Sequence, residues 1–453
     1  SSLTDQLMAA VAQGEVRADF KGAPGSKSGP EGGTRRVFSL DREQELRLEV
    51  EGQAVTITLE TGHAEIFGAE LPRGERTEVS RRKFAVFTWQ GCTLSVVGDP
   101  KVVYVGETTP MKQYANVHGY LQQSRAGARK SGGRGPRSMI VGPSNSGKTS
   151  VAKLLVNYAV RLGERPVLVD LDVKHCCFLV PGAIGAAVVA ETITMDGKGG
   201  AFDPLAFFYG YREIDSRPEL LKHLVTSLAD SVKKVATPGG VVIDTSSCGA
   251  GQVPTYEAVV FAAKAFEVDH VFVVEQDRIY NDLKRDLSAD LPNATVVRLP
   301  KSGGVVAHEK AFRRQEERQS CSDYYYGPHT DLCPRPTVVP FSKIFMYQAA
   351  STPPAPTDAL PIGAVAAPKE VEMVRVTPSE ALDKRILGVV TRFGSVKEEL
   401  SEQQQRELPS ADCVGFVHVQ KVDMAHQRVT LLMPNAVGLP SNVMVLGDVD
   451  LPE

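Results

Sequence analysis

The sequence has few cysteines, one tryptophan and no long hydrophobic run. Its seven cysteines are spread over 453 residues without a Cys-x-x-Cys pair. This spacing is typical of an intracellular protein rather than a disulfide framework. No apolar run approaches eighteen residues, and the first residues lack a signal-peptide core, so we expect a soluble protein of the cytosol or nucleus that contacts no membrane. A net charge of -3 gives no global attraction to RNA, which would need a local basic patch.

The stretch 142–150, GPSNSGKTS, matches G-x-x-x-x-G-K-[ST], with Gly142, Gly147, Lys148 and Thr149 in the fixed places. Such a loop turns backbone N–H groups towards phosphate oxygens, its lysine reaches the β- and γ-phosphates, and its hydroxyl ligates Mg²⁺. An apolar run precedes the motif, and apolar residues at helical spacing follow it. Strand, glycine loop and helix in this order predict a nucleotide site.

Composition and periodicity predict an α/β protein with three domains. A Gly/Ser/Pro-rich stretch, 1–36, is expected to be a disordered tail. Apolar alternation with period two predicts an all-β domain over 37–115. Residues 116–333 predict a central P-loop NTPase-type parallel sheet covered by helices on both faces. Residues 334–453 predict a small β-rich domain with an Ala/Pro-rich linker at 349–368 and a hairpin of 414–420 with 428–433.

The central domain has the clearest pattern of alternating strands and helices. The predicted strands are 138–141, 166–171, 240–243, 270–274 and 295–299. The predicted helices are 149–162, 216–234, 254–266, 277–288 and 307–320.

A P-loop enzyme needs a second acid at the end of a neighbouring strand, to hold Mg²⁺ or to activate the nucleophile. Asp172 and Asp244 both follow predicted strands, and ligands gather at that edge of a parallel sheet. Asp172 is our first choice for this acid, and Asp244 is the second. Either alone could instead cap a helix.

Three arginines, Arg313, Arg314 and Arg318, lie in a charged segment where phosphoryl-transfer enzymes often have a mobile lid. A guanidinium there can neutralise charge on a transferring phosphoryl group. The alternative is an exposed helix of mixed charge.

Three weaker patterns remain. The basic segment 124–137 is either a solvated linker or a phosphate-attracting patch. No [NT]-K-x-D motif for guanine is present, which favours adenine. The clusters His175-Cys176-Cys177 and Cys321/His329/Cys333 are expected to be structural rather than metal sites.

The chain resembles the Clp-type polynucleotide-kinase-like subunits of the eukaryotic pre-mRNA cleavage factor, which are relatives of RNA 5′-hydroxyl kinases. The resemblance runs from about Phe38 to Pro452. Its motifs are TGHAEIFGAEL (61–71), KFAVFTWQGC (83–92), RGPRSMIVGPSNSGKTS (134–150), NYAVRLGERP (157–166), AFEVDHVFVVEQDRIYNDLKRDL (265–287), LPKSGGVV (299–306) and YYYG (324–327).

The resemblance implies ATP·Mg²⁺ binding and membership of a nuclear complex that cleaves pre-mRNA at its 3′ end. It implies docking on the scaffold subunit that contacts the RNA polymerase II C-terminal tail, beside other cleavage and polyadenylation subunits. Relatives in animals also join the tRNA-splicing endonuclease.

The resemblance also implies roles for individual residues. Glu45 and Lys83 match positions of the N-terminal domain that contact the nucleotide. Asp172 matches the acid that assists the RNA 5′-hydroxyl and, with Thr149, would hold Mg²⁺. The loop residues expected to hold the phosphates are Gly142, Asn145, Ser146, Gly147, Lys148, Thr149 and Ser150.

The chain departs from active relatives at three places. Active relatives read Asp-x-Gly-Gln, whereas here Asp172 is followed by Val173-Lys174-His175 and the Gly-Gln is gone. Cys248 replaces a tryptophan that stacks on the RNA base. Glu317 and Ser322 align with two lid arginines. A stacking platform contributes ~1–3 kcal/mol per base, and an arginine of this kind contributes roughly 10³–10⁵ in rate.

These departures predict an ATP-binding subunit with little or no catalysis, in which nucleotide locks two domains together. The alternatives are an active RNA 5′-hydroxyl kinase, in which Lys174 or His175 replaces the glutamine, and an unrelated ATPase or GTPase switch.

Overall fold

The computed structural model describes residues 34–451 except for 107, 176–177, 196–202, 236, 250, 328–331, 351–370 and 435–437. Most of the expected tail 1–36 and linker 349–368 therefore lies outside the described residues. Within the described part of the chain, no helix has the length and apolarity needed to cross a membrane.

The N-terminal domain is an all-β sandwich, as predicted. Its strands are β1 (Arg35–Leu40), β2 (Gln44–Val50), β3 (Val55–Gly62), β4 (Glu65–Ile66), β5 (Ala69–Glu70), β6 (Arg76–Val79), β7 (Arg82–Thr88), β8 (Cys92–Val97) and β9 (Val102–Gly106). They form two antiparallel sheets, ordered β1-β8-β3-β6 and β5-β4-β7-β2-β9. Alternate apolar residues such as Ile57 and Leu59 fill the core between them.

The first helix, α1 (Met111–Ser131), contains much of the basic segment 124–137, so neither expectation for this segment holds. Arg125 is almost completely buried and donates to the carbonyl of Gly239 at 2.9 Å. The arginines at 129, 134 and 137 form ion pairs with Glu164, Asp269 and Glu267. Arg137 begins β10 and therefore lies at the opposite end of that strand from the loop 142–147. These ion pairs hold α1 and the start of β10 in place rather than attract phosphate.

The central domain alternates strands and helices close to the predicted bounds. Its elements are β10 (Arg137–Val141), α2 (Lys148–Arg161), β11 (Val167–Asp170), β12 (Ala183–Val188), β13 (Leu205–Phe208), α3 (Pro218–Lys234), β14 (Val241–Asp244), α4 (Val253–Ala265), β15 (His270–Val274), α5 (Asp277–Leu287), β16 (Thr295–Leu299) and α6 (Lys310–Tyr326). Five parallel strands in the order β16-β15-β10-β14-β11 form the sheet. Two strands that we did not predict, β12 and β13, extend this sheet in antiparallel fashion, so it is mixed.

The C-terminal domain is β-rich, and its predicted hairpin is confirmed. Its elements are β17 (Arg335–Pro340), β18 (Phe345–Ala349), β19 (Met373–Val376), β20 (Arg385–Val390), α7 (Glu402–Glu407), β21 (Cys413–Asp423), β22 (Arg428–Met433) and β23 (Val443–Asp450). β21 pairs with β22 on one side and with β13 at Ala206 and Cys413. One sheet therefore continues from the central into the C-terminal domain, with a shared apolar core.

Candidate nucleotide-binding site

The phosphate loop (residues 142–149) joins the buried strand β10 to helix α2. Asn145 and Gly147 have positive φ angles of 57° and 88°. A Cβ atom at Gly142 would lie 2.9 Å from Ser146 Oγ, and one at Gly147 would lie 3.0 Å from a methyl of Val305. Glycine is therefore required at Gly147 by both conformation and space. The loop has the tight turn before a helix N-terminus that suits phosphate oxygens.

Lys148 is the first residue of α2, and its side chain is held in the loop. Its ammonium donates to the carbonyl of Pro143 at 3.1 Å, and the residue is only 6 % exposed. Ser146 Oγ donates to the same carbonyl at 2.8 Å. The positive charge is thus directed into the concavity of the loop, where a phosphate would lie.

Thr149 donates a 2.5 Å hydrogen bond to Asp244 Oδ2 at the end of β14. The other carboxylate oxygen, Oδ1, is buried without a hydrogen-bond partner among the described residues. Burial, followed by repulsion from Asp170, raises the pKa of Asp244 to about 7. A buried, incompletely bonded carboxylate next to the loop hydroxyl is an oxygen donor set that suits Mg²⁺.

Asp172 lies two residues after the end of β11, in a different environment. Its Oδ1 accepts from the backbone N–H of Lys174 at 3.0 Å and from Ser246 Oγ at 3.5 Å. Its negative charge contributes to the raised pKa of Asp244. The structure thus pairs Thr149 with Asp244, our second choice, and places Asp172 in the segment that follows the neighbouring strand β11.

Glu45 and Lys83, the candidates from the N-terminal domain, lie on the adjacent strands β2 and β7. Glu45 is buried, and its two oxygens accept from Arg47 Nε and Thr109 Oγ1, both at 2.7 Å. Lys83 pairs with Glu49 at 3.0 Å, and its ammonium lies 5.0 Å from the ring centroid of Phe312 in α6. Both candidates therefore lie where the N-terminal domain meets the central domain.

Helix α6 is the predicted lid and begins beside the phosphate loop. Arg313 donates to Ser144 Oγ at 2.9 Å and to Asn145 Oδ1 at 3.1 Å. Arg314 and Arg318 have exposed side chains. Of the three candidates, Arg313 is the one whose described contacts reach the phosphate loop.

Two of the departing positions, Glu317 and His175, lie close together at α6. Glu317 pairs with Arg212 at 2.6 Å and lies 3.9 Å from His175 Nδ1. Lys174 pairs instead with Glu213 at 2.8 Å. The lid therefore presents a carboxylate, rather than an arginine, to the segment that follows Asp172.

Cys248 is a buried residue behind the phosphate loop. Its backbone N–H donates to the carbonyl of Gly142 at 2.9 Å, and burial raises its thiol pKa to about 11. It supports the loop but offers no surface on which a base could stack.

The cysteine clusters of the sequence lie partly outside the described residues, which omit Cys176, Cys177 and His329. No group of three or more potential metal ligands of the His, Cys, Asp and Glu types occurs in the part of the chain that the structure describes.

Sequence reasoning gave no site role to Arg47 or Arg212, and it noted the loop 300–306 only as part of the motif LPKSGGVV. That loop packs Val305 against Gly147 and Gly304 against Arg47. Two successive glycines before an apolar pair could have indicated a close backbone approach.

Comparison with known proteins gives the family. The chain is 39 % identical to the polyribonucleotide 5′-hydroxyl-kinase Clp1 of Danio rerio, over 94 % of this chain and 96 % of the relative. The Homo sapiens protein of the same name is 39 % identical, over 91 % of this chain and 95 % of the relative. The chain belongs to the Clp1 family. Family models match the Clp1 N-terminal β-sandwich domain over 39–128, the Clp1 P-loop over 142–327 and the pre-mRNA cleavage complex II protein Clp1 over 332–453.

Solved structures of Clp1p share the fold. A wild-type complex of Clp1p with a fragment of Pcf11p aligns with a TM-score of 0.77 at 21 % identity, over 92 % of this chain and 98 % of that one. A second structure aligns with a TM-score of 0.77 at 20 % identity, over 93 % of this chain and 99 % of that one. It is described by an extended interface between Pcf11p and Clp1p and by the structural basis for ATP loss in a point mutant. The three-domain arrangement is therefore that of the Clp1 fold.

Proposed function

We propose that this chain is an ATP-binding, non-catalytic subunit of the mRNA 3′-end cleavage factor, in which bound nucleotide locks the domains into a scaffold. The observation that carries the proposal is the Arg212–Glu317 ion pair on α6, the helix whose Arg313 contacts the phosphate loop. A nucleotide could be held while the phosphoryl-acceptor side lacks the charge that transfer requires.

The nucleotide side supports ATP with Mg²⁺. Lys148 and the loop N–H groups would hold the phosphates, while Thr149 with Asp244 or Asp172 would hold the metal. Bound Mg²⁺ would neutralise phosphate charge. Since β2 and β7 supply Glu45 and Lys83 from the other domain, the nucleotide would add RT ln(1 + [L]/Kd) to stability by joining both domains.

The residues expected near the RNA 5′-hydroxyl support the proposal that no phosphoryl group is transferred to it. Phosphoryl transfer depends on cations placed against the charge that spreads over the transferring group. Here Glu317 neutralises Arg212 instead, and its carboxylate also lies beside His175. Buried Cys248 itself offers no surface on which an RNA base could stack.

The proposed partner is the scaffold subunit of the cleavage factor that binds the RNA polymerase II C-terminal tail. The solved Clp1p structures, described as complexes with Pcf11p, support a partner of this kind. Other cleavage and polyadenylation subunits would then be neighbours, RNA would be reached through the complex, and the protein would act in the nucleus.

The second candidate is an active polyribonucleotide 5′-hydroxyl kinase, including a role in tRNA splicing. The contact of Arg313 with Ser144 and Asn145 favours it, as does the name of the relatives. In this case Lys174 or His175 would orient the RNA hydroxyl towards Asp172.

The deciding experiment measures transfer of γ-labelled phosphate to a 5′-hydroxyl RNA, with Lys148→Ala as the control. The nucleotide released on denaturing the purified wild type is identified in parallel. We expect intact ATP and no labelled RNA. Labelled RNA with the wild type but not with the control would establish the kinase, and multiple-turnover phosphate release without RNA would indicate an ATPase switch.

A further inference from the structure

Arg47 is a nearly buried arginine of β2 that contacts both domains at the base of the site. Its Nε donates to Glu45 Oε1 at 2.7 Å, and its Nη2 donates to the carbonyl of Thr108 at 2.5 Å. The residue is 9 % exposed, and its guanidinium lies 5.7 Å from the ring centroid of Tyr104. A buried guanidinium with this many partners is fixed in one orientation.

The other side of the guanidinium packs against backbone of the central domain. A Cβ atom at Gly304 would lie 3.0 Å from Arg47 Nε, and one at Gly303 would lie 3.1 Å from Nη1. Neither glycine has a φ angle in the left-handed region, so alanine could adopt both conformations. The glycines are needed for the space that the guanidinium occupies.

The same loop reaches the phosphate loop at Val305, the residue after Gly304. Val305 lies against Gly147, and a hydrogen bond from Tyr114 to the carbonyl of Pro300 anchors the start of the loop at 2.7 Å. Arg47 thus contacts, on one side, the carboxylate of Glu45 and, on the other, the loop that packs against the phosphate loop.

We propose that Arg47 is a positioning residue that sets the N-terminal domain against the loop 300–306 and orients Glu45 towards the nucleoside part of a bound nucleotide. The proposal rests on the proposed ATP binding and adds the device that couples the two domains. It predicts a selective defect: affinity for the whole nucleotide depends on Arg47, whereas affinity for phosphates alone depends on the phosphate loop.

The test uses the full chain stripped of nucleotide, with Arg47→Ala, Gly304→Ala, the double variant and the charge-retaining Arg47→Lys. Arg73→Ala is the matched control, because exposed Arg73 also donates to a backbone carbonyl but only within the N-terminal domain. The measurements are Kd for ATP, Kd for inorganic tripolyphosphate, and Tm.

We expect each Arg47 variant and Gly304→Ala to weaken ATP by about tenfold, as loss of a charged hydrogen bond does. Tripolyphosphate affinity should change by less than about twofold on the same reasoning, since the Lys148 contacts remain. In the double variant, Gly304→Ala should add nothing to Arg47→Ala, because the space is already empty.

Three results would overturn the inference: equal losses for ATP and tripolyphosphate, additive effects in the double variant, or wild-type affinity in all variants. Equal losses would assign Arg47 a purely structural role. If the wild type binds no ATP at all, the proposed function fails first and the inference falls with it, which separates the two failures.

Discussion

Arg212 and Glu317 form an ion pair of 2.6 Å between the segment that follows β13 and the lid helix α6. Glu317 is the more enclosed partner, with a side chain 14 % exposed. Phe312 and Arg313 hold the start of the same helix against Lys83 and the phosphate loop. Helix α6 is therefore fastened at its first turn and again near its middle.

Removing the charge of Glu317 should loosen the lid. We expect Glu317→Gln to lower the free energy of unfolding by about 1–2 kcal/mol, between the values for exposed and buried pairs. A double-mutant cycle with Arg212→Gln should recover most of that as coupling energy, and hydrogen exchange of α6 should accelerate. Arg298→Gln, which breaks the exposed pair with Asp277, is the control and should change stability little. A coupling energy near zero would contradict the fastening.

The hydroxyl of Thr149 should be essential for metal-dependent ATP binding. Thr149→Val keeps the shape but leaves buried Asp244 without its hydrogen-bond donor. We expect ATP affinity in Mg²⁺ to fall by about tenfold or more, and EDTA should then have no further effect. Thr149→Ser retains the hydroxyl and should bind nearly as the wild type does. Calorimetry with and without EDTA measures both, and an EDTA-sensitive valine variant would refute the assignment.

Tyr324 connects α6 to the C-terminal domain. Its hydroxyl oxygen accepts a 2.8 Å hydrogen bond from the backbone N–H of Phe416 in β21. Tyr324→Phe leaves that N–H unpaired and should reduce the free energy of unfolding by about 1–2 kcal/mol. Tyr326→Phe, on an exposed side chain of the same helix, should be close to neutral. Denaturant unfolding compares the two, and equal effects would argue against the connection.

His118 should make stability depend on pH. Burial, together with Arg125 and Arg161, lowers the pKa of His118 from 6.5 to about 4. Between these pH values the unfolded chain binds a proton at His118 that the folded chain does not bind. The contribution of neutral His118 to the free energy of unfolding is therefore complete above pH 6.5 and is lost as the pH falls towards 4. In His118→Gln this part of the pH dependence should disappear, whereas exposed His63→Gln should retain it. Unfolding at pH 7, 6 and 5 checks this, and parallel curves for wild type and His118→Gln would contradict it.

The parallel part of the fold and the phosphate loop could be predicted from sequence because their signals are local. Buried apolar runs such as 270–274 indicate interior strands, and helical spacing after Lys148 indicates α2. The strands β12 and β13 were missed because their pairing is long-range, and sequences such as AIGAAV carry little strand propensity.

The pairing of side chains in the site could not be predicted in the same way. Asp244 ends β14, whereas Asp172 lies two residues after β11, whose last residue Asp170 is in register with Asp244. Only the folded arrangement of these strand ends around α2 decides which acid meets Thr149. The basic segment before β10 resembled a patch because its acidic partners, at 164, 267 and 269, lie far along the chain.

The continuous sheet through β13 and β21 determines what a fragment of this chain would be. Cutting near residue 333 would expose the edge of β13 and the apolar side chains of Ala206, Phe207 and Phe208, which are buried in the whole chain. Bare apolar strand edges pair with other chains, so such a fragment should aggregate rather than remain a monomer. The central and C-terminal domains are two regions of the sequence, but they must stay joined for the protein to remain soluble.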